Sequence, residues 1–249
     1  MTDFHLFIIG DEILSGRRQD QHFPVMLEKI KVRGHRLQGV RYLPDHRPTL
    51  IEAFRLSLDA GQRVISCGGI GATPDDHTRQ ALGEALGLPL IAHPEALRIL
   101  EARFGAATYP HRVHLAEFPQ GAALVPNPVN QVAGCSIREH YLLPGFPEMA
   151  WPMADWLLDQ YYPAVEPLQT LSIIVPGARE GELIPLMEAL TVRWPEVAFS
   201  SLPSFGNASH TGPHIDFSVT GSALDAQAAM LFLQDGLRQA GLVWLDSGM

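Results

Sequence analysis

Apolar residues open the chain in a short block, Phe4 to Ile9, which ends at Gly10 and predicts a buried strand. From Phe23 to Arg33 the apolar positions are Phe23, Met26, Leu27 and Ile30. That is helical spacing, with Gly34 as a stop. His35 to Leu43 predicts a second strand, closed by Pro44-Asp45. Thr49 to Ala60 returns to helical spacing through Leu50, Ala53, Phe54 and Leu58, with Thr49 or Asp45 placed to cap its start. Val64 to Cys67 predicts a third strand, running into Gly68-Gly69-Ile70-Gly71. Helices follow over Asp75 to Leu86, ended by Gly87, and over Pro94 to Phe104.

The stretch from Gly105 to Gly134 is irregular and rich in Pro and Gly. Tyr141 to Leu143 predicts a further strand, ending at Pro144-Gly145-Phe146-Pro147, and Glu148 to Tyr162 keeps helical spacing through Pro152. Strand and helix in alternation predict an α/β domain, an open parallel sheet covered on both faces, over residues 1–165. Pro163 to Pro167 reads as a linker. After it come a strand (Leu171 to Val175), a helix (Glu180 to Arg193), two strands (Val197 to Leu202 and His214 to Thr220) and an Ala-rich helix (Asp225 to Gln239). They predict a small α+β domain of βαββα order over residues 166–249.

Composition narrows the function classes. Of 249 residues, 46% are hydrophobic and 18% charged, enough to bury a core. The formal net charge of −9 repels phosphate backbones, so nucleic acid is not an expected partner. No apolar run approaches a membrane span, and the opening lacks the basic segment of a signal peptide. A cytoplasmic protein that uses no membrane is expected. Its two cysteines, Cys67 and Cys135, are expected to be buried free thiols.

In open α/β sheets, ligands bind beyond the carboxyl ends of the strands. The predicted strands end in Gly10-Asp11-Glu12, Pro44-Asp45, the glycine loop with Thr73-Pro74-Asp75-Asp76, and Pro144-Gly145, so one rim collects them all. Glycines after a strand let the backbone turn its N–H groups towards a phosphate, and the following helix adds its N-terminal dipole. Gly68 to Thr78 fits that use and is neither a Walker A nor a GxGxxG sequence. Asp75 and Asp76 have two readings: one carboxylate caps the helix, and the surplus holds Mg²⁺ or a similar hard ion, which would offset charge between an acidic rim and an anionic ligand.

Other candidates are weaker. Glu12, Asp20 and Asp45 gain interest from their place at the strand tips. Arg17, Arg18 and Arg79 are candidate phosphate contacts, with a solvated arginine as the alternative. His77 is a candidate acid or base, and more simply an exposed first-turn histidine. His210 and His214 stand four apart, but in a Gly/Ser/Pro-rich stretch with no helix to align them on zinc. Trp151, Trp156, Tyr161 and Tyr162 read as packing rather than a stacking platform.

Three motifs taken together carry a resemblance: GDEILSG (Gly10 to Gly16), GGIGATPDDHT (Gly68 to Thr78) and LPGFPEM (Leu143 to Met149). In this order and spacing they resemble the molybdopterin-binding (MoaB/Mog-like) domain family, nearest its CinA-type (competence/damage-inducible) members, over about residues 4–160. The resemblance implies a three-layer αβα domain with a mostly parallel sheet and a site on the rim described above. The later domain is similar to the small KH-like or ferredoxin-like domain that follows in the family, with PGAREGEL and SLPSF as matching segments.

The resemblance implies a divalent-metal-dependent pyrophosphohydrolase of an ADP-ribose- or FAD-like nucleotide. It leaves two alternatives: a protein that binds or adenylates molybdopterin, or a non-catalytic binding domain. It makes Asp76 and Asp45 the catalytic candidates, and Asp75, Asp76 and Glu12 the metal candidates. Ligand contacts are expected from Gly10, Glu12, Ser15, Asp20, Gly68, Gly69, Gly71, Thr78, Pro144 and Gly145. A dimer or trimer is in keeping with related domains.

The chain departs from the family pattern at three places. Asp20-Gln21-His22 replaces Asp-Thr-Asn, and Asn127 to Gly134 alters the usual Asn-Pro-x-Gly-x-x-Pro-Gly. The PGxPxEM motif is one residue shorter, as Pro144 to Met149. These changes bear on the substrate more than on the fold. The sequence also lacks room for the amidase domain that often follows in the family, so no deamidase activity is expected.

Overall fold

The strand β1 (Asp3–Ile9) sorts the core in two by its alternation: Phe7 and Ile9 join one apolar cluster, and Phe4, Leu6 and Ile8 join the other. Burial on both faces is what a central strand of a covered parallel sheet requires. In the computed structural model, which describes residues 1–206 and 210–246, β1 lies between β2 (Arg36–Leu43) and β3 (Val64–Cys67), parallel to both. β8 (His140–Leu143) extends the sheet in parallel beyond β3. β7 (Gly134–Ile137) and β6 (Ala123–Val125) complete it, each antiparallel to its neighbour, in the order β2-β1-β3-β8-β7-β6. The sheet is therefore mostly parallel.

The helices α3 (Arg47–Asp59), α4 (Thr78–Leu86) and α5 (Pro94–Phe104) pack their apolar residues into the Phe7 cluster. α2 (His22–Lys31) and α6 (Pro147–Tyr161) cover the other face. This is the αβα sandwich that the strand–helix alternation predicts. Pro152 lies inside α6, where a proline costs about 3 kcal/mol. The helix also buries Met153, Leu157 and Leu158 completely, each contributing about 2 kcal/mol, so burial outweighs the break.

Differences from the sequence reading are confined to short elements. The stretch 105–134 holds two 3-10 turns (Gly105–Thr108 and Arg112–Ala116), β6 and β5 (Glu117–Pro119). β5 pairs with β4 (Leu90–Ala92) in a separate two-stranded sheet. Strands of three or four residues are too short to print a period. α2 begins at His22, where Asp20 accepts from the backbone N–H groups of His22 (2.7 Å) and Phe23 (3.2 Å). The cap expected from Thr49 or Asp45 on α3 is not made: His46 holds that position without a side-chain cap.

Residues 1–166 form one compact unit and residues 167–249 a second. In the second, β9 (Gln169–Pro176), α7 (Glu180–Arg193), β10 (Ala198–Ser204), β11 (His214–Gly221) and α8 (Ala223–Gln239) follow in βαββα order, with a short β12 (Leu245–Asp246) added. Its antiparallel sheet runs β10-β11-β9-β12. One face of β11 (Ile215, Phe217, Val219) packs with Leu190 of α7 and Leu233 of α8. Ser222 caps α8 by accepting from the Asp225 N–H. Among the described residues, no helix is long and apolar enough to cross a membrane.

Candidate functional site

Parallel pairing sets the strand ends level: Ile9 faces Leu43, Ile8 faces Cys67, and Cys67 faces Leu143. The chain leaves each strand at one edge and is stitched there. Gly10 N–H donates to the Leu43 carbonyl (3.1 Å) and Gly68 N–H to the Leu143 carbonyl (3.0 Å). Gly68 has a φ of 116°, and a Cβ there would strike the Ile9 carbonyl, so only glycine fits the crossing. A Cβ at Gly145 would come within 3.4 Å of the Gly68 Cα. Backbone approach alone draws the four tips together.

The glycine loop is held from inside by Asp76. One carboxylate oxygen accepts from Gly71 N–H (2.8 Å), and the other from Thr73 N–H (2.9 Å) and the Thr73 hydroxyl. Helix α4 starts later than the sequence predicts, at Thr78 rather than Asp75. Its N-cap is His77 with no side-chain cap bond, so neither Asp75 nor Asp76 caps the helix. Asp76 is the keystone of the loop instead. Its two oxygens already serve the loop, which limits it as the catalytic or metal-holding group expected of it.

Thr78 is fully buried, and its hydroxyl donates to the Gly68 carbonyl (2.9 Å), so it shapes the loop rather than presenting a hydroxyl to a ligand. Arg79 is 2% exposed and donates to the carbonyls of Gly71, His114 and Glu117. Burial pulls its pKa below the ordinary guanidinium value. The expected phosphate contact is corrected: Arg79 clamps the loop to His114 and the first residue of β5.

Above this floor opens a cleft of about 600 Å³. Gly10, Gly68, Gly69, Gly71, Pro144 and Gly145 line it. The carboxylates Glu12, Asp45, Asp75 and Asp76 line it too. Asp45 is the most strained electrostatically. Burial raises its pKa above the usual aspartate value, the negative charges of Asp11, Glu12 and Asp75 raise it further, and the Asp11 backbone N–H opposes them. Asp75 is fully solvated and its pKa is lowered, first by the Thr73 hydrogen bond. Among the described residues, no three His, Cys, Asp or Glu side chains converge on one point, so Asp75, Asp76 and Glu12 do not form a closed metal cage.

Besides the buried Thr78, two expected ligand residues lie outside the cleft. Ser15 is exposed at the end of the short helix α1 (Asp11–Leu14). Asp20 is occupied in capping α2 and accepts from the Tyr42 hydroxyl (2.9 Å). Burial and that carboxylate push the Tyr42 pKa up to about 12. Arg18 does line the cleft, whereas Arg17 lines only a shallow dent beside Glu12.

The sequence reading named no site residue on the far wall, where Phe104, Leu115 and Met149 supply an apolar surface beside Asn127 and Asn130. The Asn127 oxygen accepts from Val129 N–H (3.0 Å), tying a turn that an Asn-Pro pair could have signalled. Trp151, Trp156 and Tyr162 pack in the Phe4 cluster, as expected, whereas Tyr161 is largely exposed and meets Trp156 edge-on. His210 and His214 stack edge to face at 5.0 Å, far from helical alignment.

A family model described as a probable molybdopterin binding domain matches residues 5–165. A protein of Pyrobaculum calidifontis is 28% identical over 213 residues, covering 82% of this chain and 81% of its own. A CinA-like protein of Sulfurihydrogenibium is 32% identical over 172 residues, 66% of this chain and 41% of its own. Another from Anaeromyxobacter is 28% identical over 245 residues, 89% of this chain and 56% of its own. The chain thus spans about half the length of these CinA-like relatives. Among solved structures, CinA of Thermoplasma acidophilum superposes with a TM-score of 0.58 at 23% identity, covering 64% of this chain and 98% of that one. That likeness shows the fold.

Proposed function

Because the chain belongs to the probable molybdopterin-binding domain family and is CinA-like, we propose that it is a divalent-metal-dependent hydrolase of a pyrophosphate-bearing nucleotide such as ADP-ribose or FAD. The observation that carries this reading is the crowd of carboxylates around Asp45 in a cleft whose floor is a glycine loop. Burial and three negative neighbours make the charge on Asp45 costly. A cation relieves that cost, and an anionic ligand brings its own oxygens to complete the cation's shell.

Glu12, Asp45 and Asp75 offer hard oxygens at the cleft but no three converge, so one or two of them would hold such an ion, with phosphate oxygens and water completing its shell. When bound, a metal of this kind polarises the phosphoryl oxygen and lowers the pKa of a water ligand. The protein's own part is positioning. Arg18 adds positive charge at the mouth, and Phe104, Leu115 and Met149 exclude water from a ring system. Asp45, at the centre of these carboxylates, would help to hold the ion and to orient its water.

Pterin binding is the second reading, favoured by the description of the family and by the apolar wall of the cleft. Both readings use one cleft, and turnover separates them. Purified protein is incubated with ADP-ribose and FAD, in Mg²⁺, Mn²⁺, Co²⁺ or EDTA, beside Asp45→Asn and Asp75→Asn. Metal-dependent release of AMP, lost in Asp45→Asn, supports the hydrolase. Absence of turnover in every metal rejects it, and molybdopterin binding is then the remaining arm, with a non-catalytic binding domain behind it.

A further inference from the structure

A second cavity of about 250 Å³ opens beside the cleft, and Glu12, Arg18, Gly145 and Phe146 line both. Its further lining includes Gln21, His22, Cys67 and Glu148. His22 is 5% exposed, and its Nε2 lies 3.1 Å from the Gly145 carbonyl. A carbonyl only accepts, so in the neutral ring Nε2 carries the proton and donates. Nδ1 is then a bare lone pair, and this buried atom has no hydrogen-bond partner. A buried acceptor left unmet is costly, and a ligand that supplies a donor recovers that cost. Cys67 contributes no acidic group there, because burial drives its thiol pKa up.

We infer that this cavity is a second subsite of the same cleft, which takes a sugar carried beyond the pyrophosphate and selects it through a hydroxyl donating to His22 Nδ1. The inference rests on the pyrophosphate reading above and adds the specificity of its distal half. Glu12 and Glu148, both lining the cavity, are acceptors for further hydroxyls. A terminal phosphate offers only acceptors and would leave Nδ1 unmet. Arg18, shared by the two cavities, stands where the pyrophosphate would pass from one to the other.

The test compares two probes by calorimetry on the full chain in Ca²⁺: ADP-ribose, and the β-methyl ester of ADP, which keeps the pyrophosphate and its charge but lacks the distal sugar. ADP-ribose is expected to bind roughly tenfold tighter, the worth of one well-made buried hydrogen bond. His22→Phe keeps the ring and is expected to shrink the gap to about twofold while leaving the methyl ester unchanged. The wild-type imidazole ¹⁵N spectrum decides without any variant: the Nδ1 signal is expected to move with ADP-ribose and stay with the methyl ester. Equal affinity for the two probes, an unchanged gap in a folded His22→Phe, or an unmoved Nδ1 signal overturns the subsite and leaves the pyrophosphate reading standing. Failure of both probes to bind overturns both.

Discussion

Asp11 and Asp45 bind each other's backbone: Asp11 N–H donates to Asp45 Oδ2 at 3.1 Å, and Asp45 N–H donates to Asp11 Oδ1 at 3.2 Å. The reciprocal pair ties the exits of β1 and β2 together and sets two carboxylates side by side at the rim. Each amide stabilises a charge, and each charge repels the other. The rim is therefore shaped by contacts that leave it electrostatically unsettled.

That imbalance gives Asp45 a pH signature. Its folded pKa is raised, so its contribution to stability is fullest below the ordinary aspartate value of about 3.9 and declines as pH climbs through the raised one. Asp45→Asn keeps an acceptor for Asp11 N–H and removes the charge. The variant and the wild type are expected to have equal stability at the acid end and to diverge above it, with the variant the more stable at pH 7. The gain stays below about 1 kcal/mol because the site is open to solvent. Thermal melts across pH 3.5–7.5 measure it, and a wild type that gains on the variant as pH rises would contradict the assignment.

Asp75 and Asp76 are adjacent in sequence and have separate roles, so their asparagine variants part company. Asp76→Asn offers one acceptor where the loop needs two, and its amide faces the Thr73 donors. A cost of about 1–3 kcal/mol is expected, with weakened binding of any ligand. Asp75→Asn touches only the solvated carboxylate and leaves the denaturant midpoint in place. Its effect is confined to the metal concentration needed for half-maximal turnover.

Glycine substitutions separate crowding from backbone strain. Gly68→Ala meets a positive φ and the Ile9 carbonyl together, and is expected to cost about 3 kcal/mol or more. Gly87→Ala, at the left-handed end of α4 with open space around it, is expected to cost about 1 kcal/mol. Urea unfolding of the two variants reads the difference directly; equal losses would show that the Gly68 crossing is not tight.

Arg79 is the largest of the fully buried side chains. Arg79→Met fills much of the volume but strands the carbonyls of Gly71, His114 and Glu117, for an expected loss of about 3 kcal/mol. Arg79→Lys recovers only part, since an ammonium cannot span three separated carbonyls. Hydrogen exchange is expected to show the loss at the glycine loop and at 112–117 together. An effect limited to one of them would break the clamp reading.

Both cysteines are buried, and burial raises their pKa, that of Cys135 to about 12. Neither is expected to react with a thiol reagent in the native protein at pH 8, and both are expected to react once guanidinium unfolds it. Rapid labelling of one thiol in the native state would mean that its cluster opens on the time scale of the assay.

The main architecture was legible because its signals are local. The block Phe4 to Ile9 is apolar on both faces, which only a central strand of a covered sheet satisfies. The same holds for the helices, whose stripes appear at three- and four-residue spacing. Short strands such as β5 and β6 stayed hidden because three residues print no period. The glycine loop was legible as a tight turn at a strand end, since glycine allows a positive φ and a close backbone approach.

By itself the sequence determined the order of elements, the division near residue 166 and the rim where glycines and carboxylates gather, because each follows from neighbours along the chain. Only the tertiary structure decided which of those residues line the cleft and which spend their polar atoms on the fold. Asp20, Asp76, Thr78 and Arg79 carry the right chemistry, yet their polar atoms are occupied by the fold itself. Asp11, by contrast, gains its role from Asp45, 34 residues away. A side chain's hydrogen-bonding capacity is finite, and what remains of it for a ligand depends on partners that parallel pairing brings in from far along the chain.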